Sequence, residues 1–297
     1  MAMIVITGPT AVGKTPLSQE LAKDFDAEII NCDSRLFYRG LDIGTSKPKH
    51  FFVPHHMIDC VEPHEPYDAA AFHKAATQKI EDIQARGKNI FIVGGSGFYL
   101  RALLEGMYEA QGAQGKIREE LNQECTEHLY KRLENIDPDS AKVIHPHDRY
   151  RIIRALEVYL ISSKPLSSIR REFEMKKKEK RKIPMIGLTR PKEELHLLIK
   201  KRTKLMLVEG LEEEVKGLLK KYNADLLPLQ SIGYRQMIAY LKGDIDKSQC
   251  VDDIEKETRK LAKRQMTWFR KESSIQWFHP ELDRDKISDF INKCVIR

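Results

Sequence analysis

The stretch that most restricts the fold is GPTAVGKT, residues 8 to 15. It holds the spacing G-x-x-x-x-G-K-T at Gly8, Gly13, Lys14 and Thr15. Ahead of it, Met3 to Gly8 (MIVITG) is a short apolar run rich in β-branched residues, which predicts a buried strand. Behind it, PLSQELAKDF predicts a helix with Leu17, Leu21 and Ala22 on one side. Strand, glycine loop and helix form the context in which such a loop cradles a polyphosphate. The whole loop is therefore a candidate diphosphate or nucleotide site: Gly8, Pro9, Thr10, Ala11, Val12, Gly13, Lys14 and Thr15. Its backbone N–H groups and the helix N-terminus face the phosphates. Lys14 adds a point charge, and the Thr15 hydroxyl is placed for Mg²⁺. Pro16 fits the first helical turn, where its missing N–H leaves no partner unsatisfied. The spacing is shared by ATP- and nucleotide-binding proteins, so it fixes the ligand class and leaves open whether phosphate is transferred or merely leaves.

At 297 residues the chain can bury a sizeable core or form two domains. With 41% hydrophobic and 32% charged residues, it reads as globular and cytoplasmic, and no apolar run approaches the roughly 20 residues of a membrane span. The N-terminus runs straight into a strand, so no secretory signal is expected. The cysteines at 32, 60, 125, 250 and 294 are scattered without a C-x-x-C pair, which argues for reduced thiols and against a zinc site. His55 with His56, and His145 with His147, have no matching third ligand and read as structural or phosphate-side. The net charge of +7 suits a polyanionic partner larger than a nucleotide, or an ordinary basic enzyme.

Further along, Ala27 to Cys32 (AEIINC) predicts a second strand, Lys88 to Leu100 (KNIFIVGGSGFYL) a third with a glycine turn, and Lys182 to Arg190 (KIPMIGLTR) another. Strands alternating with helices argue for an α/β fold with a parallel sheet. From about Gln111 to Arg181 the pattern turns helical, starting at GAQGK (Gly112 to Lys116) and ending in the lysine run MKKKEKRK (Met175 to Lys182). The lysine run reads as a solvated linker. The expected organisation is a core at 1–112, a helical insertion domain at 113–182, and completion of the core by a mostly helical part at 183–297.

A motor-type NTPase usually carries an apolar strand ending in Asp to hold Mg²⁺. Here the third strand ends in glycines, and the acid lies after the second strand, Asp33 in CDSR. Ligands of an open α/β sheet sit at the C-terminal ends of its strands, so Asp33 is expected in the same crevice as Gly8 to Thr15. A carboxylate there can hold or deprotonate a second substrate; an Asx-turn is the structural alternative. This pattern suits a small-molecule kinase and also an enzyme from which diphosphate departs.

The segments GPTAVGKT, NCDSRLFYRGLDIGTSKP, VPHHMID, FIVGGSGFYLRALLEG, IHPHDRYRIIRALEVY, SIGYRQM and LAKRQMTWFR follow one another from the N-terminus to about Arg270. In content and order the chain resembles the bacterial-type tRNA dimethylallyltransferases. The resemblance implies transfer of a dimethylallyl group from dimethylallyl diphosphate to N6 of the adenosine at tRNA position 37, beside the anticodon, with Mg²⁺ as cofactor. It implies that the loop grips a leaving diphosphate and that Asp33 orients the adenine amino group and takes its proton. Ser96 stands where many members have Thr. Arg118 matches an arginine that assists near the flipped base, and Arg202 one near the diphosphate.

The resemblance also implies tRNA contacts at Asp33, Ser34, Arg35 and Leu36, at Tyr150, Arg151, Ile152, Ile153 and Arg154, and at Gln230, Ser231, Ile232, Gly233, Tyr234 and Arg235. Arg151 and Arg154 suit phosphates; Tyr234 and Arg235 offer a stacking ring and a forked donor. Tyr150 and Gln230 stand where other members carry Gln and Arg. Gln265 and Trp268 share one face of a basic helix, Ile254 to Lys271, read as a packing face. The expected partners are tRNA through its anticodon stem-loop and dimethylallyl diphosphate, with no membrane, and the chain is expected to act as a monomer. Two other readings stay open: a kinase using ATP on a small acceptor held by Asp33, and a non-catalytic tRNA-binding relative. The basic helical parts argue against the first; intact Lys14, Thr15 and Asp33 argue against the second.

Overall fold

The computed structural model describes residues 1–107, 115–176 and 183–295. Six strands form one sheet: β1 (Met3–Thr7), β2 (Ala27–Asn31), β3 (His55–His56), β4 (Asn89–Val93), β5 (Met185–Leu188) and β6 (Ile275–Phe278). Their order is β3-β2-β4-β1-β5-β6, and every pairing is parallel. The register sets Val5 between Ile92 and Met185. Side chains alternate across a strand, so Ile4, Ile6, Phe91 and Ile186 fill one core while Val5, Ile90, Ile92 and Met185 fill another on the opposite face. With both faces covered, β1, β4 and β5 read as nearly continuous apolar runs.

The helices of this first unit (Met1–Leu104 with Arg181–Arg297) are α1 (Lys14–Asp24), α2 (Ala69–Ala85), the greater part of α3 (Gly97–Glu105) and, further on, five more. Asp68 caps α2 by accepting the Ala70 and Ala71 N–H groups.

The second unit, Glu105–Lys180, holds α4 (Gly115–Asn122), α5 (Thr126–Ile136), α6 (Pro138–Val143), α7 (Arg149–Ser162) and α8 (Leu166–Lys176) around a core of its own that includes Leu129, Leu133, Ile152 and Leu156. Asp137 ties three of these elements. It ends α5, caps α6 through the Ser140 N–H, and accepts the Ser167 N–H at the start of α8 (2.9 Å). Those hydrogen bonds outweigh its burial and hold the carboxyl below the usual range. The insertion is expected from 113; the chain leaves the first unit earlier, at Glu105. The glycine stretch at 112–114 and the lysines at 177–182 lie outside the described residues.

On returning, the chain forms α9 (Lys192–Val208), α10 (Leu211–Leu219), α11 (Tyr234–Lys242), α12 (Lys247–Phe269) and α13 (Arg284–Val295). β3 and β6 are not among the expected strands. β3 is two residues long, too short for any periodicity, and β6 is a four-residue edge strand inside a stretch read as helical.

Candidate active site

The glycine loop leaves the C-terminal end of β1 and turns into α1 at Gly13, whose φ of 103° favours glycine. Gly8 (φ 142°) passes so close to β5 that a Cβ there would meet the Leu188 carbonyl oxygen at 2.5 Å. Lys14 Nζ donates to the carbonyls of Gly8 (3.1 Å) and Pro9 (2.8 Å) and so spans the loop. Burial lowers the Lys14 ammonium to about 8; the Asp33 carboxylate pulls it upward and the Arg202 charge pushes it down. Two side chains from far along the chain hold the loop. Arg190, just beyond β5, donates through Nε to the Val12 carbonyl (3.0 Å) and pairs with Glu281 (2.6 Å) and with Glu194. Gln265 of α12 accepts the Thr10 N–H (2.7 Å) and donates to the Gly95 carbonyl (2.9 Å), joining the loop to the turn after β4.

Asp33 follows β2 in a turn framed by Asn31, whose side-chain oxygen accepts the Asp33 N–H (3.1 Å) and whose amide donates to the Met57 carbonyl (2.8 Å). Asp33 Oδ1 accepts the Arg35 N–H (3.1 Å). The Asx-turn and a cleft position therefore coexist in one residue. Ser96 Oγ accepts the Ser34 N–H (3.2 Å). Gly94 allows that approach, because a Cβ on it would lie 2.1 Å from the Cys32 carbonyl oxygen.

Arg202 of α9 reaches the same place. It donates through Nη1 to Thr10 Oγ1 (2.7 Å) and through Nη2 to the Thr45 carbonyl (3.1 Å), while its Nε is buried without a partner. Burial lowers its affinity for a proton, and Asp33 offsets part of that loss. These groups open on a cleft of about 360 Å³, a size suited to a small ligand, lined by Thr10, Asp33, Ser34, Arg35, Ser96, Arg202, Gln230 to Gly233, Arg235 and Gln265. Arg264 joins Arg35, Arg202 and Arg235 there, so four cations face the two carboxylates of Asp33 and Glu257. Ile199, Met206, Ile232, Ile254 and Leu261 supply an apolar wall. A smaller cavity of about 50 Å³ is lined by Lys14, Thr15, Asp33 and Leu36. Asp33 borders both spaces.

Three expected tRNA contacts need correction. Tyr234 is fully buried against Gly44, where a Cβ would sit 2.4 Å from its ring, so it offers no stacking face. Ile152 and Ile153 point into the core of the second unit at 0% and 4% exposure. Their segment is one turn of a helix, and only part of a turn faces outward. Tyr150 (65% exposed) and Arg151 are on that outer side. In the same unit the fully buried Glu157 holds Arg118 at 2.7 Å and Arg154 at 3.6 Å, and the Arg118 guanidinium lies over the Tyr150 ring at 5.5 Å. Gln265 is expected only to pack, and neither Arg190 nor Arg264 is expected at the site; the K-R-Q run of α12, in which Gln265 is half-buried, is the available signal for it.

The sequence profile of the IPP transferase family matches residues 36–272. The chain is 44% identical to a tRNA dimethylallyltransferase 2 of Geotalea uraniireducens, over 94% of this chain and 93% of that one. It is 38% identical to a tRNA dimethylallyltransferase of Geobacter sulfurreducens, over 98% and 96%. Among solved structures it is similar to the full-length tRNA isopentenylpyrophosphate transferase of Bacillus halodurans, with a TM-score of 0.73, 35% identity, and coverage of 99% of this chain and 97% of that one. It is also similar to a eukaryotic dimethylallyltransferase acting on tRNA, with a TM-score of 0.83, 28% identity, and coverage of 99% and 80%.

Proposed function

The chain belongs to the IPP transferase family, and on that premise we propose that it transfers the dimethylallyl group of dimethylallyl diphosphate to N6 of the adenosine at tRNA position 37, releasing diphosphate. The observation that carries this reading is Asp33, which borders both the cavity of Lys14 and Thr15 and the arginine-rimmed cleft. A carboxylate between a phosphate-binding loop and a basic surface is where acceptor and donor have to meet.

The diphosphate lies against the glycine loop, with Lys14 and Arg202 taking up charge as the C–O bond breaks. The five-carbon chain rests on the apolar wall of Ile199, Met206 and Ile254. The adenine amino nitrogen is a poor nucleophile because its lone pair is delocalised into the ring. Asp33 orients the N–H and receives the proton as the C–N bond forms. Ser96 supports this by fixing the Ser34 amide beside Asp33. A stacked adenine cannot reach such a cleft, so the base is unstacked and flipped, at a cost of a few kcal/mol that contacts to the RNA offset. In the first unit Arg35 and Arg235 meet phosphates or unpaired bases of the anticodon stem-loop, and in the second unit Arg118 and Arg151 are the cations offered to the RNA.

Mg²⁺ fits the oxygens present. The Thr15 hydroxyl shares its cavity with Asp33, and Mg²⁺ is commonly held by one or two protein oxygens together with substrate phosphates. Bound there, it would neutralise charge on the departing diphosphate. No helix among the described residues is long and apolar enough to cross a membrane, and the reading places a monomer in the cytoplasm with its tRNA.

The test is to supply carbon-labelled dimethylallyl diphosphate and unmodified tRNA. Label should enter tRNA with one diphosphate released per transfer. Phosphate transfer from ATP without carbon incorporation would contradict the reading.

A further inference from the structure

Glu214 lies in the first turns of α10, outside every segment considered so far. Its carboxylate accepts three successive backbone N–H groups: Asp42 (3.1 Å) and Ile43 (2.7 Å) on Oε2, and Gly44 (3.2 Å) on Oε1. Consecutive amides turned to one side form a concavity for an anion, and here the protein fills it with its own side chain. The Tyr234 hydroxyl donates to the same Oε1 at 2.5 Å, and its ring packs on Gly44 where no Cβ fits. The next residue is Thr45, whose hydroxyl donates to the Leu41 carbonyl (2.6 Å) and whose own carbonyl accepts Arg202 Nη2. One residue therefore separates the Glu214 anchor from the Arg202 guanidinium.

We infer that Glu214 and Tyr234 are positioning residues for the donor diphosphate: they pin the Asp42–Thr45 turn, and the turn aims Arg202. The inference rests on the proposed role of Arg202 at the diphosphate. Arg202 has two hydrogen-bond anchors, Thr10 Oγ1 and the Thr45 carbonyl. If the turn shifts, the second is lost. The guanidinium is a fixed planar fork, so it then no longer presents its donors at the angle a phosphate needs. A carboxylate is required at position 214 because all four groups around it are donors. Glutamine would turn its own NH₂ toward two of them.

Calorimetric binding of inorganic diphosphate tests this without relying on turnover, with tRNA affinity and thermal melting measured on the same proteins. Glu214→Gln should bind diphosphate about tenfold more weakly, as expected when one charge-assisted contact is misaligned, with tRNA affinity within about twofold. Tyr234→Phe keeps the ring on Gly44 and removes only the hydroxyl, so a loss of about two- to threefold is expected. In an Arg202→Ala background, Glu214→Gln should add no further loss, because its effect travels through Arg202. A folded Glu214→Gln variant with unchanged diphosphate affinity, or an additive loss in the double variant, overturns the inference. Should Glu214→Gln not fold, Tyr234→Phe decides in the same way, alone and with Arg202→Ala. Failure of the proposed function shows separately, as a wild-type protein that binds diphosphate but transfers no dimethylallyl group.

Discussion

Lys14 carries its charge where burial resists it, which makes its protonation state responsive near neutral pH. The free group titrates near 8, below its ordinary 10.5. A diphosphate needs the ammonium form, so binding favours proton uptake. The sign follows: affinity conferred by Lys14 is fully present below about pH 7 and falls as pH rises through 8, by up to roughly tenfold per unit. Diphosphate affinities of wild type and Lys14→Met, compared from about pH 6.5 to 9.5, remove the titration of the ligand itself. The gap between them should narrow above pH 8; a constant gap would contradict the role. Lys14 was legible in the sequence because its spacing to Gly8 and Gly13 is local. Asp33 was legible because position at a strand end implies the crevice. Tyr234 misled because a contact segment was read as a line, whereas it opens a helix that turns its ring inward. Glu214 and Gln265 were hidden by distance: their partners lie 171 and 255 residues away, and nothing in a single sequence pairs them.

Among the elements, α12 has the most to explain. Its 23 residues span about 35 Å, and among the described residues Gln265 carries its hydrogen bonds to the loop. Gln265 satisfies the Thr10 N–H and the Gly95 carbonyl together. Trp268, one turn on, covers Gly97, where a Cβ would meet the indole at 2.4 Å, and Arg101 lies over its ring. Removing one partner from a half-buried amide costs about 1–3 kcal/mol. Gln265→Ala should therefore lower Tm by about 2–4 °C per kcal/mol lost, and raise KM for the donor several-fold because Thr10 also holds Arg202. Unchanged melting and KM would show that α12 packs on the loop without shaping it. Strands β1 and β4 announced themselves by apolar runs, since both their faces are buried, and β2 by Ile29 and Ile30 despite the buried Glu28. β6 did not, because an edge strand of four residues borrows its order from one neighbour, β5.

At the scale of the molecule, two units each close on a core of their own, and the chain interrupts the first to build the second. The division of labour follows from where chemistry-bearing residues fall. The first unit holds the loop, Asp33, Ser96 and Arg202 around one cleft, while Arg118, Tyr150 and Arg151 belong to the second. The net charge of +7 and the four arginines of the cleft suit a polyanion on the acceptor side. The proposed transfer requires Asp33 to receive the proton when carbon reaches nitrogen. The most direct measurement is single-turnover transfer of labelled dimethylallyl to tRNA by Asp33→Asn, with tRNA affinity determined on the same protein. A general base contributes about 10²- to 10⁴-fold, so the rate should fall by that range while affinity stays within a few-fold. A variant that transfers within a few-fold of wild type would remove Asp33 from the mechanism.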